Sequence, residues 1–163
     1  MNKQELQNKI NKTKEHLANM EKMLAECEYE RWKPEYRQTF WAVDGLNKAH
    51  SYIYVESDFD KQRKDSFNCF QTREQAETEA EKILVRRQLE DIARRLNKGE
   101  KIDWGNNSQC KYYLYLWVGE ELDQDAARNR LTQGAVYCLD QDFLDVAIQE
   151  IGEERLKKYL RGE

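Results

Sequence analysis

The chain has little of what usually carries out catalysis or interrupts a fold. Its 163 residues include one proline, seven glycines and two histidines. His16 and His50 are far apart in the sequence and neither lies beside an evident nucleophile, so no histidine-based acid–base pair is apparent. No apolar run approaches the ~20 residues of a membrane-spanning helix, and the first fourteen residues are polar rather than signal-like. We therefore expect a cytoplasmic protein without a membrane partner.

Motifs for metal and nucleotide binding are also missing. The four cysteines lack the Cys-x-x-Cys spacing of zinc sites, and we expect reduced, buried thiols at Cys27, Cys69, Cys110 and Cys138. Neither a Gly-x-Gly-x-x-Gly motif nor a phosphate-binding loop occurs. Asp123 and Asp125 form a carboxylate pair, but the remainder of a calcium-binding loop is absent. The sequence predicts no cofactor, no metal site and no enzymatic activity.

The composition is very polar but rich in aromatic residues. Charged residues make up 36% of the chain and the mean hydropathy is −1.03, yet there are nine Tyr, five Phe and four Trp. These rings supply the apolar surface that disordered chains lack. The net charge of −4 disfavours general nucleic-acid binding. We expect one folded core with one extension.

The predicted extension is the N-terminal segment 1–31. Apolar residues recur there at alternating spacings of four and three, which is the pattern of a coiled-coil seam. We assign oligomerisation contacts to Leu6, Ile10, Leu17, Met20 and Leu24. Because the other faces are polar, the apolar stripe needs a partner, and a homodimer would provide one. Antiparallel pairing or packing against the same chain is the alternative.

The remainder, 35–163, contains a pattern that occurs twice. At a constant offset of 68 positions, Phe70, Thr72, Ala76 and Ile83 align with Cys138, Asp140, Leu144 and Ile151. Each copy reads as a short strand, a polar cap and a helix, which predicts two related β-β-α units at about 35–99 and 110–163. The predicted fold class is α+β: an N-terminal coiled-coil-like helix followed by two β-β-α units that form an antiparallel sheet with helices.

The longest predicted helix covers about 73–97. Thr72 and Gln75 fit a capping box at its start, and Asp140 should cap the final helix. The apolar residues of the 73–97 helix change sides midway, from a face with Ala76, Ala80 and Ile83 to one with Val85, Leu89 and Ile92. We expect the first half to cover the sheet. The second half should pack on the N-terminal helix or on a second subunit.

One predicted strand, 111–118, has two different faces. Alternation places Leu114, Leu116 and Val118 on one face and Tyr113, Tyr115 and Trp117 on the other. If helices cover the aliphatic face, the rings are open to a partner; if the rings are covered, they form a second core. The stretch 119–133 that follows is an acidic excursion, with a helix as one option. Candidate partner contacts are Tyr52, Tyr54, Tyr113, Tyr115, Trp117, Glu120, Glu121, Asp123 and Asp125.

A basic cluster offers a second kind of contact. Its members could meet phosphates, with the rings of the aromatic strand as stacking platforms: Arg87, Arg94, Arg95, Lys98 and Lys101. Glu90 and Asp91, however, precede Arg94 and Arg95 by four positions, which is a favourable orientation for ion pairs within a helix. We therefore expect a solvated, self-paired helix face, and binding of RNA, DNA or a nucleotide is the alternative function.

Three segments together resemble small uncharacterised proteins encoded by phages and prophages of Gram-positive bacteria. They are the helix end at Trp32-Lys33-Pro34, the helix entry 68–76 and the C-terminal stretch 151–160. These motifs are structural, so no functional residue is carried over from the resemblance. The resemblance implies a setting, since accessory phage genes of this size often encode inhibitors of bacterial immunity, including anti-CRISPR proteins.

The resulting expectation is a non-enzymatic, homodimeric binding protein that acts in the cytoplasm of the host bacterial cell. Its partner would be a host defence protein or ribonucleoprotein, such as a CRISPR effector. A nucleic-acid-binding accessory protein and a structural phage assembly component are the alternatives.

Overall fold

The chain folds as an α+β protein. The computed structural model describes residues 7, 11–14, 16, 17, 20, 31–118, 120–128 and 131–163. From residue 31 onward its elements are β1 (Thr39–Val43), β2 (Ala49–Ile53), α1 (Asp58–Asp65), α2 (Arg73–Leu96), β3 (Lys111–Leu116), β4 (Leu122–Ala127), α3 (Phe143–Ile151) and α4 (Glu153–Arg161). The predicted class is confirmed. The strands, however, form two separate two-stranded antiparallel sheets, β1–β2 and β3–β4, and not the single sheet that we predicted.

The two hairpins share a further feature. Trp41 of β1 forms an isolated antiparallel bridge with Phe70, and Tyr112 of β3 forms one with Cys138. Phe70 and Cys138 are one of the residue pairs that the 68-position offset aligns. Each sheet therefore gains a single-residue third strand just before the helix that follows it. This arrangement gives the two halves of the chain a common plan.

The long helix α2 begins as predicted. The Thr72 side chain accepts a hydrogen bond from the Gln75 N–H, and the Gln75 side chain accepts one from the Thr72 N–H. The second helix entry differs, because α3 begins only at Phe143 and its N-cap residue Asp142 makes no side-chain cap. Asp140 instead accepts a hydrogen bond from the Asp142 N–H at 3.0 Å, so its predicted role as the helix cap is wrong.

The change of apolar face along α2 corresponds to a change of packing partner. Ala76 and Ala80 in its first half pack with Val43 of β1. Leu89 and its neighbours in the second half join the larger core, which contains Val85, Leu89, Ile92, Ala93, Leu114, Cys138, Phe143, Ala147, Ile151 and Leu156. The expectation of two different neighbours is confirmed. The neighbour of the second half is the β3–α4 part of the same chain, where we had expected the N-terminal helix or a second subunit.

Most of the segment predicted to form a coiled coil lies outside the described residues. Residues 7, 11–14, 16, 17 and 20 are helical, and Leu17 and Met20 are 52% and 47% exposed. Leu6, Ile10 and Leu24 lie outside the described residues. The coiled coil and the homodimer therefore stay predictions. Among the described residues, no helix is both long enough and apolar enough to cross a membrane.

Candidate partner-binding surface

The β3–β4 hairpin brings most of the predicted contact residues onto one face. In the antiparallel register Tyr113 lies opposite Asp125, and Tyr115 lies opposite Asp123. Because opposite residues in a ladder project to the same side, the two phenol rings share a face with the two carboxylates. Leu114 projects to the other side and is buried in the core. We call Tyr113, Tyr115, Trp117, Asp123 and Asp125 the hairpin face.

The rings of this face belong to a longer aromatic row. Ring centroids are separated by 5.4 Å between Trp117 and Tyr115, 6.1 Å between Tyr115 and Tyr113, 5.5 Å between Tyr113 and Tyr137, and 5.0 Å between Tyr137 and Trp104. All four spacings fall in the range of favourable ring pairs. Tyr137 is buried, Tyr113 and Tyr115 are half-buried and Trp117 is 56% exposed, while Trp104 at the other end of the row is half-buried. The row is anchored in the protein at one end and open at the other.

Hydrogen bonds from the rings orient the carboxylates. Oδ2 of Asp123 accepts from the Tyr115 hydroxyl at 3.1 Å and from Trp117 Nε1 at 3.4 Å. Hydrogen bonds from the Gln124 N–H and then from these two rings hold the pKa of Asp123 below its usual value. Desolvation, and then the Asp123 carboxylate, raises the pKa of Tyr115. At neutral pH the face therefore presents the negative charge of Asp123 beside the neutral phenol of Tyr115.

The turn between the strands carries the other predicted acidic contacts. Glu120 and Glu121 are both exposed, and Glu120 forms an ion pair with Arg161 Nη2 of α4 at 2.9 Å. The Glu121 carbonyl accepts from the Trp117 N–H at 3.0 Å. Residues 122–127 of the acidic excursion form strand β4, so the helical option is wrong there. Strand β3 ends at Leu116, and Val118 is fully exposed, not on an aliphatic core face as predicted.

Two of the predicted contact residues lie elsewhere. Tyr54 is only 5% exposed and packs in a separate core cluster with Phe40. Tyr52 packs against the same cluster, and the Arg63 guanidinium lies 3.8 Å from its ring centroid. Ile53 and Val55, their alternating neighbours, are exposed. Tyr54 is therefore a core residue and not part of a contact surface, whereas Tyr52 is half-buried and packs against that core.

The basic cluster on α2 is largely paired with acidic or amide groups. Arg95 contacts Asp91 at 3.0 Å and Glu150 of α3 at 2.6 Å, and Arg94 also pairs with Asp91. Arg87 donates to the Asn47 side chain at 2.9 Å. The predicted Asp91–Arg95 pair is confirmed, whereas Glu90 pairs with Arg86 at 2.9 Å and not with Arg94. Lys98 and Lys101 are exposed at the end of the helix and in the loop after it.

The described cysteines and carboxylates do not assemble into a reactive or metal-binding centre. Within the described ranges, no group of three His, Cys, Asp or Glu side chains is placed to hold a metal ion. Cys69 and Cys138 are buried, and burial raises the pKa of both thiols. Cys110 is half-buried, and Cys27 lies outside the described residues. Thiols with raised pKa values are poor nucleophiles at neutral pH.

Sequence reasoning missed the residues that support the row. Lys111 precedes the rings on the same side of β3, is fully buried, and donates to the carbonyls of Asn106 and Gln109 at 2.9 Å and of Arg128 at 3.1 Å. Its Nζ also lies 5.3 Å from the centroid of the Trp104 ring. Because Lys111 and Tyr113 are two positions apart on β3, alternation alone could have placed Lys111 on the same face as the rings. Nothing in the polar loop 101–110 indicated that Trp104 would fold back onto the row.

Comparisons with protein-family models, with curated proteins and with solved structures gave no match to this chain.

Proposed function

We propose that this protein is a non-enzymatic binding protein that blocks a component of host defence, and that the hairpin face is its contact surface. The observation that carries the proposal is the aromatic row, which is anchored by Tyr137 and Trp104 and ends in the exposed Trp117. Rigid aromatic side chains lose little conformational entropy on binding, and Trp and Tyr dominate the energetics of protein interfaces. The surface is therefore suited to a macromolecular partner.

The charge of the face favours a positively charged protein surface as that partner. Asp123 and Asp125 lie among the rings, and Glu120 and Glu121 are exposed in the adjoining turn. Lys and Arg side chains can pair with carboxylates and also stack on aromatic faces. Phosphate groups would be repelled there, so the same rings are poor stacking platforms for RNA or DNA. For a ribonucleoprotein target, we place the contact on its protein component.

The biological setting comes from the resemblance to phage and prophage proteins. Within that setting, a small cytoplasmic protein without evident catalytic chemistry would act by occupying a surface of a host effector, such as a CRISPR nuclease. We propose further that the N-terminal segment sets a homodimer, so that two hairpin faces act together. Linked faces would raise the overall affinity through effective concentration, without any new contact.

An infection assay with matched variants tests this proposal. Bacteria with CRISPR immunity against a phage would express the wild-type protein, Trp117→Ala, or Phe59→Ala, whose exposed ring lies on α1. We expect the wild type to raise the plating efficiency of the targeted phage, Trp117→Ala to lose at least tenfold of that effect, and Phe59→Ala to retain it. Circular dichroism would verify that both variants are folded.

Two results would count against the proposal. If Trp117→Ala inhibits as well as the wild type, the hairpin face is not the contact surface. If the wild type restores plating against no defence system in a panel, and retains no host macromolecule on co-purification, inhibition of host defence is wrong. Recovery of the protein in purified virions would then support the structural alternative, and salt-sensitive binding to labelled RNA or DNA would support the nucleic-acid alternative.

A further inference from the structure

Strand β3 has one paired edge and one edge that is only partly used. The Trp117 N–H bonds to Glu121 across the hairpin at 3.0 Å, whereas the Tyr112 N–H and carbonyl bond to Cys138 on the opposite side, at 2.7 and 2.9 Å. Main-chain groups alternate in direction along a strand, so Leu114 and Leu116 point to the same side as Tyr112. No described residue outside the sheet bonds to the main chain of Leu114 or Leu116.

The first unit closes the equivalent edge with a side chain. There the Asn68 amide accepts from the Val43 N–H at 2.7 Å and donates to the Val43 carbonyl at 2.6 Å. Val43 lies two residues after the bridge residue Trp41, as Leu114 lies two residues after Tyr112. The position that corresponds to Asn68 at the 68-residue offset is Val136, whose side chain can neither donate nor accept. The second unit therefore lacks the group that satisfies this edge in the first.

A groove runs along this open edge. It has a volume of about 480 Å³ and lies between β3 and the segment 132–136. Apolar side chains from three helices line it, including Leu89, Phe143, Tyr159 and Leu160, together with the polar side chains of Arg86, Thr132 and Gln133. Tyr113 and Tyr115 of the hairpin face also border the groove. The free N–H and carbonyl groups of Leu114 and Leu116 thus lie at a sheet edge that has the groove on one face and the hairpin face on the other.

We infer that the open edge of β3 receives an extended segment of the partner protein as an added strand. Such a strand would bond to the main chain of Leu114 and Leu116, which is a recognised mode of peptide binding. Alternate side chains would project into the apolar groove and onto the hairpin face. The groove favours aliphatic residues, and the rings with Asp123 and Asp125 favour Arg or Lys. The segment therefore alternates aliphatic and basic residues, and this inference rests on the function proposed above.

A second copy of the chain fits the same edge less well. Its own β3 would place Tyr113 and Tyr115, which carry no positive charge, beside this hairpin face. Asp123 and Asp125 lie on β4, on the far side of β3 from the open edge. They therefore favour an added strand with long basic side chains that can reach across the rings.

Synthetic peptides of defined pattern test the added strand directly. The probe is a fluorescein-labelled nine-residue peptide of alternating Val and Arg, titrated with the full-length protein and followed by fluorescence anisotropy. The control has the same composition with all Val before all Arg, so its net charge is identical. Because the alternating order places each residue type on one side of a strand, we expect the alternating peptide to bind at least tenfold more tightly than the control.

N-methylated peptides report on the main-chain contacts. If the peptide runs antiparallel to β3, the peptide residues whose main chain bonds to Leu114 project to the same side as the Leu114 side chain, so they are the Val residues. In a parallel pair they are the Arg residues. We expect methylation of one of the two sets to weaken binding at least tenfold and methylation of the other to have little effect. The sensitive set gives the strand direction.

A matched pair of variants locates the contact on this protein. Leu116→Pro removes the outward N–H, and Leu116→Ala removes the same side chain but keeps the N–H. We expect Leu116→Pro to bind the alternating peptide at least fivefold more weakly than Leu116→Ala. The peptide experiments with the wild-type protein stand on their own if Leu116→Pro does not fold.

The outcomes separate this inference from the proposed function. Tight binding that tolerates methylation of either set overturns the added strand, while leaving the hairpin face as a contact surface. Equal binding of the alternating and the block peptide also overturns it. A dimer in analytical ultracentrifugation that Leu116→Pro abolishes, and Leu116→Ala does not, would assign the edge to a second copy and overturn the inference. The proposed function fails separately, through the Trp117→Ala infection assay.

Discussion

At the scale of single residues, Lys111 holds the Trp104 end of the aromatic row in place. Its ammonium group is fully buried, and no described carboxylate lies within ion-pair distance of it. The ammonium group instead donates hydrogen bonds to three carbonyl oxygens, those of Asn106, Gln109 and Arg128. Two of these carbonyls belong to the loop before β3 and one follows β4, so a single side chain joins the two ends of the hairpin to the loop that carries Trp104.

Replacing Lys111 with methionine should loosen this loop. Met has a similar length but no donor, so three carbonyls would lose a hydrogen bond from a charged group. We expect the free energy of unfolding to fall by about 2 kcal/mol, measured by urea denaturation. Lys101→Met, at an exposed lysine of the same loop, is the control and should have little effect. A Lys111→Met protein with wild-type stability would show that the three hydrogen bonds contribute no net stabilisation.

At the scale of elements, α2 depends on its N-terminal cap. The reciprocal hydrogen bonds between Thr72 and Gln75 satisfy amide groups that have no partner within the helix. Thr72→Ala removes one of them, and we expect a loss of about 1 kcal/mol in the free energy of unfolding. Thr78→Ala, at an exposed threonine inside the same helix, should be neutral or slightly stabilising, because Ala is the better helix former. Equal effects of the two substitutions would argue against a role of the cap.

The elements also show which parts of the fold the sequence could predict. The cap of α2 and its change of apolar face depend on local spacing, and both were predicted. Strand β4 was not, because its residues, Leu-Asp-Gln-Asp-Ala-Ala, have little strand propensity of their own. They are held in place by cross-strand partners, since Asp123 and Asp125 accept hydrogen bonds from Tyr115 and Tyr113. Such contacts link residues 8 and 12 positions apart, and spacing within one segment cannot show them.

The candidate surface was predictable to a similar extent. Alternation in β3 correctly grouped Tyr113, Tyr115 and Trp117, because one side of that strand is aliphatic and enters the core. Tyr54 was wrongly predicted to be a contact residue, because it is buried in the small cluster that contains Phe40. Hydrophobicity alone does not decide which side is buried when both sides of a strand are apolar.

At the scale of the whole molecule, α2 contributes to two of the three buried clusters among the described residues and so joins the two hairpins into one structure. Its first half covers β1–β2, and its second half forms part of the larger core. Each core would be marginal alone, because domains of well under 100 residues bury little apolar surface. Half of this helix would also be too short to persist in water without its packing. We therefore expect the two halves of the molecule to unfold together.

A cavity in the larger core tests this coupling. Leu89 is buried in the second half of α2, and Leu89→Ala should lower the free energy of unfolding by about 3 kcal/mol. If unfolding is shared, hydrogen exchange of the slowest amides should accelerate on the order of a hundredfold in α3 and equally in β1, although β1 does not touch the cavity. Leu46→Ala, at an exposed leucine in the β1–β2 turn, should change neither. Faster exchange confined to α3, with β1 unchanged, would show that the two cores unfold independently and that α2 is a linker between them and not a shared element.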